Sequence, residues 1–394
     1  MEKFISLFIV LTLIFLCYTQ SITADDVYNV ADMGAKPDGK TDSTQYFMSA
    51  WTSACQNLGP ATIIVPQGRF LVNQQARFSG PCNNSALSFQ IDGTVVQQSN
   101  YSAVADDIFW VGFHGVDGLA IRGGVFDGQG ADLWNCKLSN NDCPTGTSTV
   151  QFTNSSNIAL KGLTSLNSQL YHIVFNGCNN VTIQSVNISA AGNSLNTDGI
   201  HVQFSTNVNI YNTAITTGDD CISIGPGTIN LWIENVTCGL SGHGISIGSL
   251  GREPIEAGVQ NVTVKGATFA NTLNGLRIKS WPKPSNGFVK DVMVQNATMI
   301  NVYNPIIIDQ NYCPHQICPV QDSGVKVDGV TYQGIHGTSA TEVAVKFDCS
   351  KSHPCTGIKL EDVNLTYQNR QANASCVNAA GIVVGYIQPP SCFA

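Results

Sequence analysis

The chain has 394 residues, a formal net charge of −8, 12% charged residues and 37 glycines. This length allows one or two domains, while the composition argues against a helical bundle, a coiled coil or a disordered chain and favours a β-rich protein with many turns. The acidic balance excludes a general nucleic-acid-binding surface, so an anionic ligand could be bound only where the few cations gather in one place.

The N-terminus has the pattern of a secretory signal peptide, residues 1–24. Lys3 gives it a positive start and residues 4–16 form an apolar run. Ser21 or Ala24 offers a small residue for cleavage. A membrane anchor is the alternative, but it needs roughly 20 apolar residues and this run is shorter. The sequence therefore predicts a secreted chain that is soluble, with no membrane span, once the signal has been removed.

The next predicted element is a short helix at residues 43–55 (STQYFMSAWTSAC). Phe47, Ala50 and Trp51 have helical spacing and lie on one side of it. An amphipathic helix at this point would cover the open N-terminal edge of the β-structure that follows. We therefore predict an N-terminal capping helix.

A short pattern then recurs along the chain: two apolar residues separated by one residue, followed three positions later by another apolar or small residue. Such segments are too short for helices and alternate with period two, which indicates strands. One set, the first ladder, starts at Leu119, Ile158, Val181, Val208, Leu231, Val262, Val292, Val325 and Ile358. A second set, the second ladder, lies between these members and starts at Val150, Ile173, Ile200, Ile222, Ile245, Leu276 and Ile306.

Two or more brief strands per unit of 23 to 33 residues, joined by Gly, Asn and Ser turns, describe one coil of a β-solenoid. A β-sandwich, which also consists of short strands, is the alternative. The second ladder precedes the first by 8, 8, 8 and 9 residues in four successive units, however, and a sandwich has no reason to keep that offset. We therefore predict an all-β, single-stranded, right-handed parallel β-helix of roughly 9 to 10 coils, forming one domain over residues 25–394.

The 14 cysteines fit a secreted protein. Removal of Cys17 with the signal leaves 13, an odd number, which predicts structural disulfides and one free thiol, assigned to Cys178. A zinc site is the alternative, but the sequence has no CxxC pair and no clustered histidine partner. Three close pairs are predicted to close local loops: Cys313/Cys318, Cys349/Cys355 and Cys376/Cys392.

Ten Asn-Xaa-Ser/Thr triplets are possible N-glycosylation sites in a secreted glycoprotein. Several coincide with the starts of predicted strands, so part of the pattern is attributed to structural asparagines. The triplets begin at Asn83, Asn100, Asn154, Asn180, Asn187, Asn235, Asn261, Asn296, Asn364 and Asn373.

The register of the second ladder brings charged residues together. If Ile222 and Ile245 lie side by side on adjacent coils, the residues two positions earlier do so as well. These residues are Asp220 and His243, and Asp198 holds the same position one coil before. Crowded carboxylates raise at least one proton affinity and titrate as a set. A structural protein gains nothing from such a cluster, whereas a hydrolase needs an acid beside a base.

Asp219 adds a third carboxylate, and one coil further Arg277 and Lys279 alternate with inward-facing apolar residues and so point outward. Taken singly, each signal has a structural explanation as a turn, a buried histidine or a solvated strand face, but their common register favours catalysis. A calcium site is the main alternative, since carboxylates on one face can bind that ion. The two adjacent cations argue against a metal there and for an anionic substrate.

Four blocks of the sequence resemble the signature blocks of the polygalacturonase family, in the family's order. They are NTDGIH (196–201), GDDCISIG (218–225), GHGISIGSLG (242–251) and RIKS (277–280). The resemblance covers most of the chain from residue 31 onwards, and NYCPHQICP (311–319) is most similar to the plant pollen exopolygalacturonases. The resemblance also implies two disulfides, Cys55–Cys82 and Cys221–Cys238, the latter behind the strand that bears the acids.

The resemblance further implies a role for each site residue. Asp219 would protonate the glycosidic oxygen, while Asp198 and Asp220 would activate the attacking water. His243 would support the protonation of the acid. Cleavage would proceed with inversion, which needs roughly 6.5–9.5 Å between acid and base, and without a metal or other cofactor. The resemblance also implies four residues that bind the substrate: Asn196, Arg277, Lys279 and Tyr312. The two cations among them would bind the carboxylate of the substrate.

The implied activity is hydrolysis of α-1,4-galacturonosidic bonds in de-esterified pectin. A secreted, monomeric enzyme of the cell wall would act at the non-reducing end of polygalacturonate and release galacturonate. Insertions at residues 248–258 and 281–287 lie where they could close one end of a groove, which favours cleavage at chain ends. The alternatives are an endo-polygalacturonase, a rhamnogalacturonan hydrolase, a calcium-dependent pectate lyase and a non-catalytic carbohydrate-binding solenoid. No nucleic-acid or membrane partner is expected.

Overall fold

The chain winds into a right-handed parallel β-helix. The computed structural model describes residues 26–101, 108–139, 142–239, 242–314, 318 and 321–393. The predicted signal peptide, residues 1–24, lies outside these residues. A typical coil contributes three strands, and each strand pairs in parallel with the equivalent strand of the next coil. Equivalent strands therefore form three ladders along the helix axis.

The first ladder contains β1 (Asp26–Asn29), β3 (Ala61–Val65), β6 (Leu87–Ile91), β9 (Asp117–Arg122), β12 (Ser156–Lys161), β15 (Asn179–Gln184), β18 (Thr206–Tyr211), β21 (Ile229–Glu234), β24 (Val259–Lys265), β27 (Phe288–Gln295), β30 (Lys326–Gln333), β33 (Cys355–Tyr367) and β36 (Ala379–Gln388). The second ladder contains β5 (Ala76–Ser79), β8 (Phe109–His114), β11 (Ser148–Thr153), β14 (Ile173–Asn176), β17 (Ile200–Gln203), β20 (Asp220–Ile224), β23 (His243–Leu250), β26 (Asn274–Ser280), β29 (Asn304–Asp309), β32 (Val343–Asp348) and β35 (Asn373–Val377).

The third ladder contains β2 (Asp38–Asp42), β4 (Arg69–Leu71), β7 (Thr94–Val96), β10 (Val125–Asp127), β13 (Thr164–Leu166), β16 (Asn187–Ser189), β19 (Ala214–Thr216), β22 (Thr237–Gly239), β25 (Thr268–Ala270), β28 (Thr298–Val302) and β31 (His336–Ser339). The C-terminal half of β33 continues this ladder. A short strand, β34 (Arg370–Gln371), pairs antiparallel with β33 and closes a hairpin.

The second ladder has the predicted register throughout. Ile200 pairs with Ile222, and Ile222 pairs with Ile245. The series continues through Leu276 to Ile306. All five side chains are at most 4% exposed. Because alternate residues of a strand face opposite sides, this burial determines which neighbours face the solvent.

The first ladder agrees with the prediction except at one member. Val292 pairs with Val330, and not with Val325 as the sequence pattern predicts. Val325 lies before β30, and Val327 pairs with Val289. The segment VKVDGVTY contains the apolar-x-apolar pattern twice, and periodicity alone cannot distinguish the two copies.

The third ladder has no counterpart in the prediction. Its strands are mostly three residues long and bury a single apolar side chain, as Ile188 and Ile215 illustrate, and a single residue has no periodicity. The second ladder alone has 11 strands in the described part of the chain, so the helix has more coils than the roughly 9 to 10 predicted. The additional N-terminal coils include β3 and β6, which precede the first recognised member at Leu119.

Asparagines at the strand starts stabilise the turns between coils. Asn180, Asn207, Asn230 and Asn261 have left-handed φ angles of 56°, 57°, 59° and 55°. The Nδ2 of Asn230 donates to Oδ1 of Asn207 at 3.0 Å, and Nδ2 of Asn261 donates to Oδ1 of Asn230 at 2.7 Å. Asn180 and Asn261 begin two of the ten triplets, which supports a structural origin for part of that pattern.

The predicted N-terminal cap is present as α1 (Thr44–Gln56). Phe47, Ala50 and Trp51 are buried on its inner face, and Trp51 Nε1 donates to the carbonyl of Ser79 at 3.1 Å. A second helix, α2 (Ala131–Leu138), lies between β10 and β11 and was not expected from the sequence. No helix in the described part of the chain combines the length and hydropathy needed to cross a bilayer.

Six disulfides join the described cysteines. Five agree with the predicted pairs: Cys55–Cys82, Cys221–Cys238, Cys313–Cys318, Cys349–Cys355 and Cys376–Cys392. The sixth, Cys136–Cys143, connects α2 with the loop that follows it. Cys178 is buried and is the free thiol among the residues that the structure describes, as predicted.

Candidate active site

A cleft of about 570 Å³ runs along the solvent side of the second ladder, from the start of β8 to the loop after β29. This volume is typical of a small-molecule or oligosaccharide site. Six predicted site residues line it: Asn196, Asp198, Asp219, Asp220, Lys279 and Tyr312. The other two, His243 and Arg277, lie directly beside Asp220. The structure therefore brings all eight predicted residues to one place.

The strand register produces this juxtaposition. Asp220 is the first residue of β20 and pairs with His243, the first residue of β23. Asp198 lies two residues before β17, and the amide of Gly199 donates to the carbonyl of Asp220 at 2.9 Å. The amide of His243 donates to the carbonyl of Asp219 at 2.9 Å. Three consecutive coils thus hold the acids and the imidazole side by side, with Asp219 and Asp220 on the middle coil.

Two glycines permit the turns that carry the acids. At Gly218, just before Asp219, an added Cβ would lie 2.1 Å from the carbonyl oxygen of Ser194. Gly242, before His243, has a left-handed φ of 73°, and an added Cβ would lie 2.5 Å from the carbonyl oxygen of Asp219. The coils approach each other so closely here that only glycine fits.

Asp220 is a buried, fully bonded carboxylate. Its Oδ1 accepts from Arg277 Nη2 at 2.7 Å and from Ser246 Oγ at 2.6 Å, and its Oδ2 accepts from Lys279 Nζ at 2.9 Å. Arg277 Nε also donates to Ser246 Oγ at 2.9 Å. Burial opposes ionisation of Asp220, but the two cations outweigh it and hold its pKa well below the usual range. Asp220 is therefore ionised. Ser246 is absent from the predicted site because a single serine carries no sequence signal.

Asp198 and Asp219, unlike Asp220, have raised pKa values. Burial raises the pKa of the Asp198 carboxyl, and the charges of Asp219 and Asp220 raise it further. Burial and the charge of Asp220 likewise raise the pKa of Asp219. Asp219 Oδ1 accepts from the amide of Asp220 at 2.8 Å, and its Oδ2 accepts from Asn196 Nδ2 at 3.4 Å. The cluster therefore retains a proton next to a permanently ionised carboxylate.

His243 is neutral and has a fixed orientation. Burial, followed by the positive charge of Arg277, lowers its pKa to about 4. Asn274 Nδ2 donates to His243 Nδ1 at 2.7 Å, and Asn304 Nδ2 donates to Asn274 Oδ1 at 3.1 Å. Because Nδ1 accepts, the ring proton lies on Nε2. Asn274 pairs with His243 in the ladder register, so extending the column by one coil would have predicted it.

An aromatic and cationic wall borders the C-terminal side of the acids. Lys279 Nζ lies 5.3 Å from the ring centroid of Tyr312, and the Tyr312 ring meets the edge of Trp281 at 5.4 Å. Trp281 Nε1 donates to Ser249 Oγ at 3.1 Å. Both predicted insertions contribute to this wall, since Ser249 belongs to the insertion at residues 248–258 and Trp281 to the insertion at residues 281–287. Trp281 was not among the predicted site residues because it lies outside the repeat.

The calcium alternative fits these residues poorly. Asp219, Asp220 and His243 offer ligand atoms that lie within 4.8 Å of one another. Calcium takes six to eight oxygen ligands, whereas this group includes an imidazole. Both oxygens of Asp220 already accept hydrogen bonds, from Arg277 and Lys279 among others. A calcium ion bound to Asp220 would have to displace the side chains of Arg277 and Lys279 from its oxygens.

Comparison with known proteins agrees with the geometry. The family model described as Glycosyl hydrolases family 28 matches residues 55–387, and a model described as Rhamnogalacturonase A/epimerase, pectate lyase-like matches residues 27–80. The chain is 57% identical to a polygalacturonase of Prunus persica, covering 97% of this chain and 98% of the relative. It is 43% identical to an exopolygalacturonase of Platanus acerifolia, covering 90% of this chain and 95% of the relative.

Solved structures share the fold. An endo-xylogalacturonan hydrolase from Aspergillus tubingensis matches with a TM-score of 0.80 at 24% identity, over 91% of this chain and 98% of the other. An exopolygalacturonase from Thermotoga maritima matches with a TM-score of 0.73 at 18% identity, over 93% of both chains. At these identities the likeness shows the β-helix alone.

Proposed function

The chain belongs to glycosyl hydrolase family 28, and we propose that it is a polygalacturonase, an enzyme that hydrolyses the α-1,4 bonds between the galacturonate residues of polygalacturonate. The names of its relatives from Prunus persica and Platanus acerifolia support this substrate. One observation carries the proposal: two cations hold one carboxylate of the cleft ionised, while the two other carboxylates beside it have raised pKa values. That combination supplies an acid and a base at one point.

In this mechanism Asp219 donates its proton to the glycosidic oxygen as the bond between that oxygen and C1 breaks. Asp198 and Asp220 hold a water on the opposite face of the sugar and accept its proton as its oxygen bonds to C1. Attack from the opposite face inverts the configuration at C1, although the ligand atoms of Asp219 and Asp220 lie within 4.8 Å of one another, closer than the roughly 6.5–9.5 Å expected for an inverting pair. Neutral His243, next to Asp220 in the ladder, supports the protonated form of Asp219 because it adds no positive charge that would favour ionisation.

Substrate binding involves the cations and the wall beside them. Lys279, between Asp220 and the Tyr312 ring, binds the carboxylate of the reacting sugar together with Arg277. Because both cations are bonded to Asp220, an incoming uronate carboxylate shares them with that aspartate, which favours a charged sugar over a neutral one. Asn196, bonded to Asp219, contacts the sugar next to the acid.

The proposed enzyme acts at chain ends and is secreted to the cell wall as a monomer. Exopolygalacturonases among its relatives and the two insertions beside the cleft support end-acting cleavage. The six disulfides among the described residues and the signal-like N-terminal sequence support secretion, because disulfides persist in oxidising compartments.

The activity is tested on de-esterified polygalacturonate in the presence of EDTA. We expect the release of reducing ends without any rise in ultraviolet absorbance, because hydrolysis yields saturated products. A neutral galactan and a rhamnogalacturonan serve as control polymers and should not be cleaved. Unsaturated products that disappear on chelation would indicate a lyase instead, and preferential cleavage of rhamnogalacturonan would refute the proposed substrate.

A further inference from the structure

One cation of the cleft has no part in the proposed reaction. Arg252 lies between β23 and β24, in an insertion outside the ladders, and lines the same cleft as Asp219, Asp220 and Lys279. Its guanidinium is exposed and lies 5.8 Å from the ring centroid of Trp281. Within the described ranges, that guanidinium has no hydrogen bond or ion pair with the protein. It is therefore free to bind an anion.

The backbone beneath Arg252 is held in place. The Glu256 carboxylate accepts from the amides of Gly251 and Arg252, at 2.5 and 3.2 Å. The amide of Glu256 in turn donates to Oδ1 of Asn286, in the second insertion, at 2.9 Å. The Trp281 ring under the guanidinium is held by its own bond to Ser249. A guanidinium on such a support loses little freedom when it binds a ligand.

The charge of the cleft is distributed unevenly along its length. On the N-terminal side of the acids its lining residues are uncharged: Ile108, Ser148, Gln151, Leu170, Tyr171, Val174 and Asn176. On the C-terminal side the lining includes Lys279, Arg252 and Glu256, whose carboxylate accepts from the backbone amides of Gly251 and Arg252. Lys279 is bonded to Asp220, whereas the Arg252 guanidinium forms no ion pair among the described residues, and the nearby Glu256 carboxylate is bonded to backbone amides instead.

We propose that Arg252 binds the carboxylate of a second uronate residue, adjacent to the residue that Lys279 and Arg277 hold. A guanidinium recognises a carboxylate through two parallel hydrogen bonds. The site therefore recognises two neighbouring charged sugars on the C-terminal side of the acids and tolerates uncharged sugars on the other side. This inference rests on the proposed polygalacturonase function, because it takes uronate chains as the ligand.

The test compares R252Q with K283Q. Lys283 Nζ lies 5.8 Å from the centroid of the same Trp281 ring but does not line the cleft, so it is a matched control for loss of a cation over that ring. We expect R252Q to raise KM for trigalacturonate about tenfold or more, the effect of removing a hydrogen bond to a charged group, with kcat within about twofold. K283Q should leave both constants unchanged. An unchanged KM in R252Q, or an equal effect of K283Q, would overturn the proposal.

A second readout separates carboxylate binding from support of the loop. Wild type should prefer oligogalacturonates with free carboxylates over the same oligomers carrying one methyl ester next to the cleaved residue, and R252Q should lose this preference. Retained preference in R252Q would contradict the assignment. If wild type cleaves no galacturonide, the proposed function fails; calorimetric titration of trigalacturonate into wild type and R252Q then still tests the arginine, since equal affinities would refute it.

Discussion

At the scale of single residues, the two adjacent aspartates of the GDD block differ because their surroundings differ. Asp220 points into a group of donors, with Arg277, Lys279 and Ser246 on its oxygens. Asp219 receives one amide and a long bond from Asn196, and it has the charge of Asp220 beside it. Neighbouring positions in the chain thus acquire opposite proton affinities without any difference in residue type.

The proposed acid is tested by D219N, which keeps the shape of the side chain and removes its proton. Loss of general acid catalysis should lower kcat on polygalacturonate by about 10²–10⁴-fold. Affinity for trigalacturonate, measured by calorimetry, should stay within about twofold of wild type, because the binding cations are untouched. D92N, which changes an exposed acid outside the cleft, is the control and should be fully active. Undiminished release of reducing ends by D219N would refute the assignment.

The pKa shifts also predict that the isosteric changes D198N and D220N have opposite effects on stability. The pKa of Asp198 is raised above 3.8 in the folded protein, so rising pH favours the unfolded chain, which releases that proton more easily. D198N should therefore raise Tm at pH 7, and the gain should vanish as the pH falls towards 3.8.

For Asp220 the predicted change in stability has the opposite sign. Its folded pKa lies below 3.8, so its contribution to stability is present at neutral pH and is lost as the pH falls through the folded pKa. D220N should lower stability at pH 7 by about 3–5 kcal/mol, because it leaves Arg277 and Lys279 buried without their partner. Thermal unfolding of both variants at pH 7 and at low pH checks the pair. Shifts of the same sign at pH 7 would contradict the assigned protonation states.

At the scale of strands and helices, what the sequence could predict depended on periodicity. The second ladder was predicted correctly because two inward-facing residues in each strand repeat at a constant position. The third ladder was missed because one inward residue leaves no pattern, and Val325 was misplaced because its segment carries the pattern twice. The capping helix was predicted because Phe47, Ala50 and Trp51 have helical spacing.

The cap should contribute measurably to stability. The indole of Trp51 is 3% exposed, contacts Phe78 and Phe89, and donates to the carbonyl of Ser79. W51A should lower the free energy of unfolding by about 3–5 kcal/mol, the cost of an aromatic-to-alanine change in a core. T52A changes the adjacent, exposed position of the same helix and is the control. Equal unfolding midpoints for W51A and T52A in urea would show that the cap is dispensable.

At the scale of the whole molecule, the cleft combines residues that obey the repeat with residues that do not. The acids, His243 and the cations of β26 follow the ladder register, so stacking alone places them together, and the sequence could predict them. Arg252 and Trp281 belong to insertions between strands. Their positions depend on bonds such as those of Glu256 and Ser249, which no period in the sequence encodes.

These insertions lead to the last prediction, which concerns the products. Residues 248, 249, 252 and 256 line the C-terminal part of the cleft, and Trp281 meets Tyr312 beside them. If these segments close that end, a polymer can enter only by its terminus, and a single short product of constant length should be released from hexagalacturonate from the start of the reaction. On polygalacturonate, reducing ends should then increase while viscosity falls little, measured beside an endo-acting polygalacturonase as control. Early oligomers of mixed length, with a steep fall in viscosity, would show that the cleft is open at both ends.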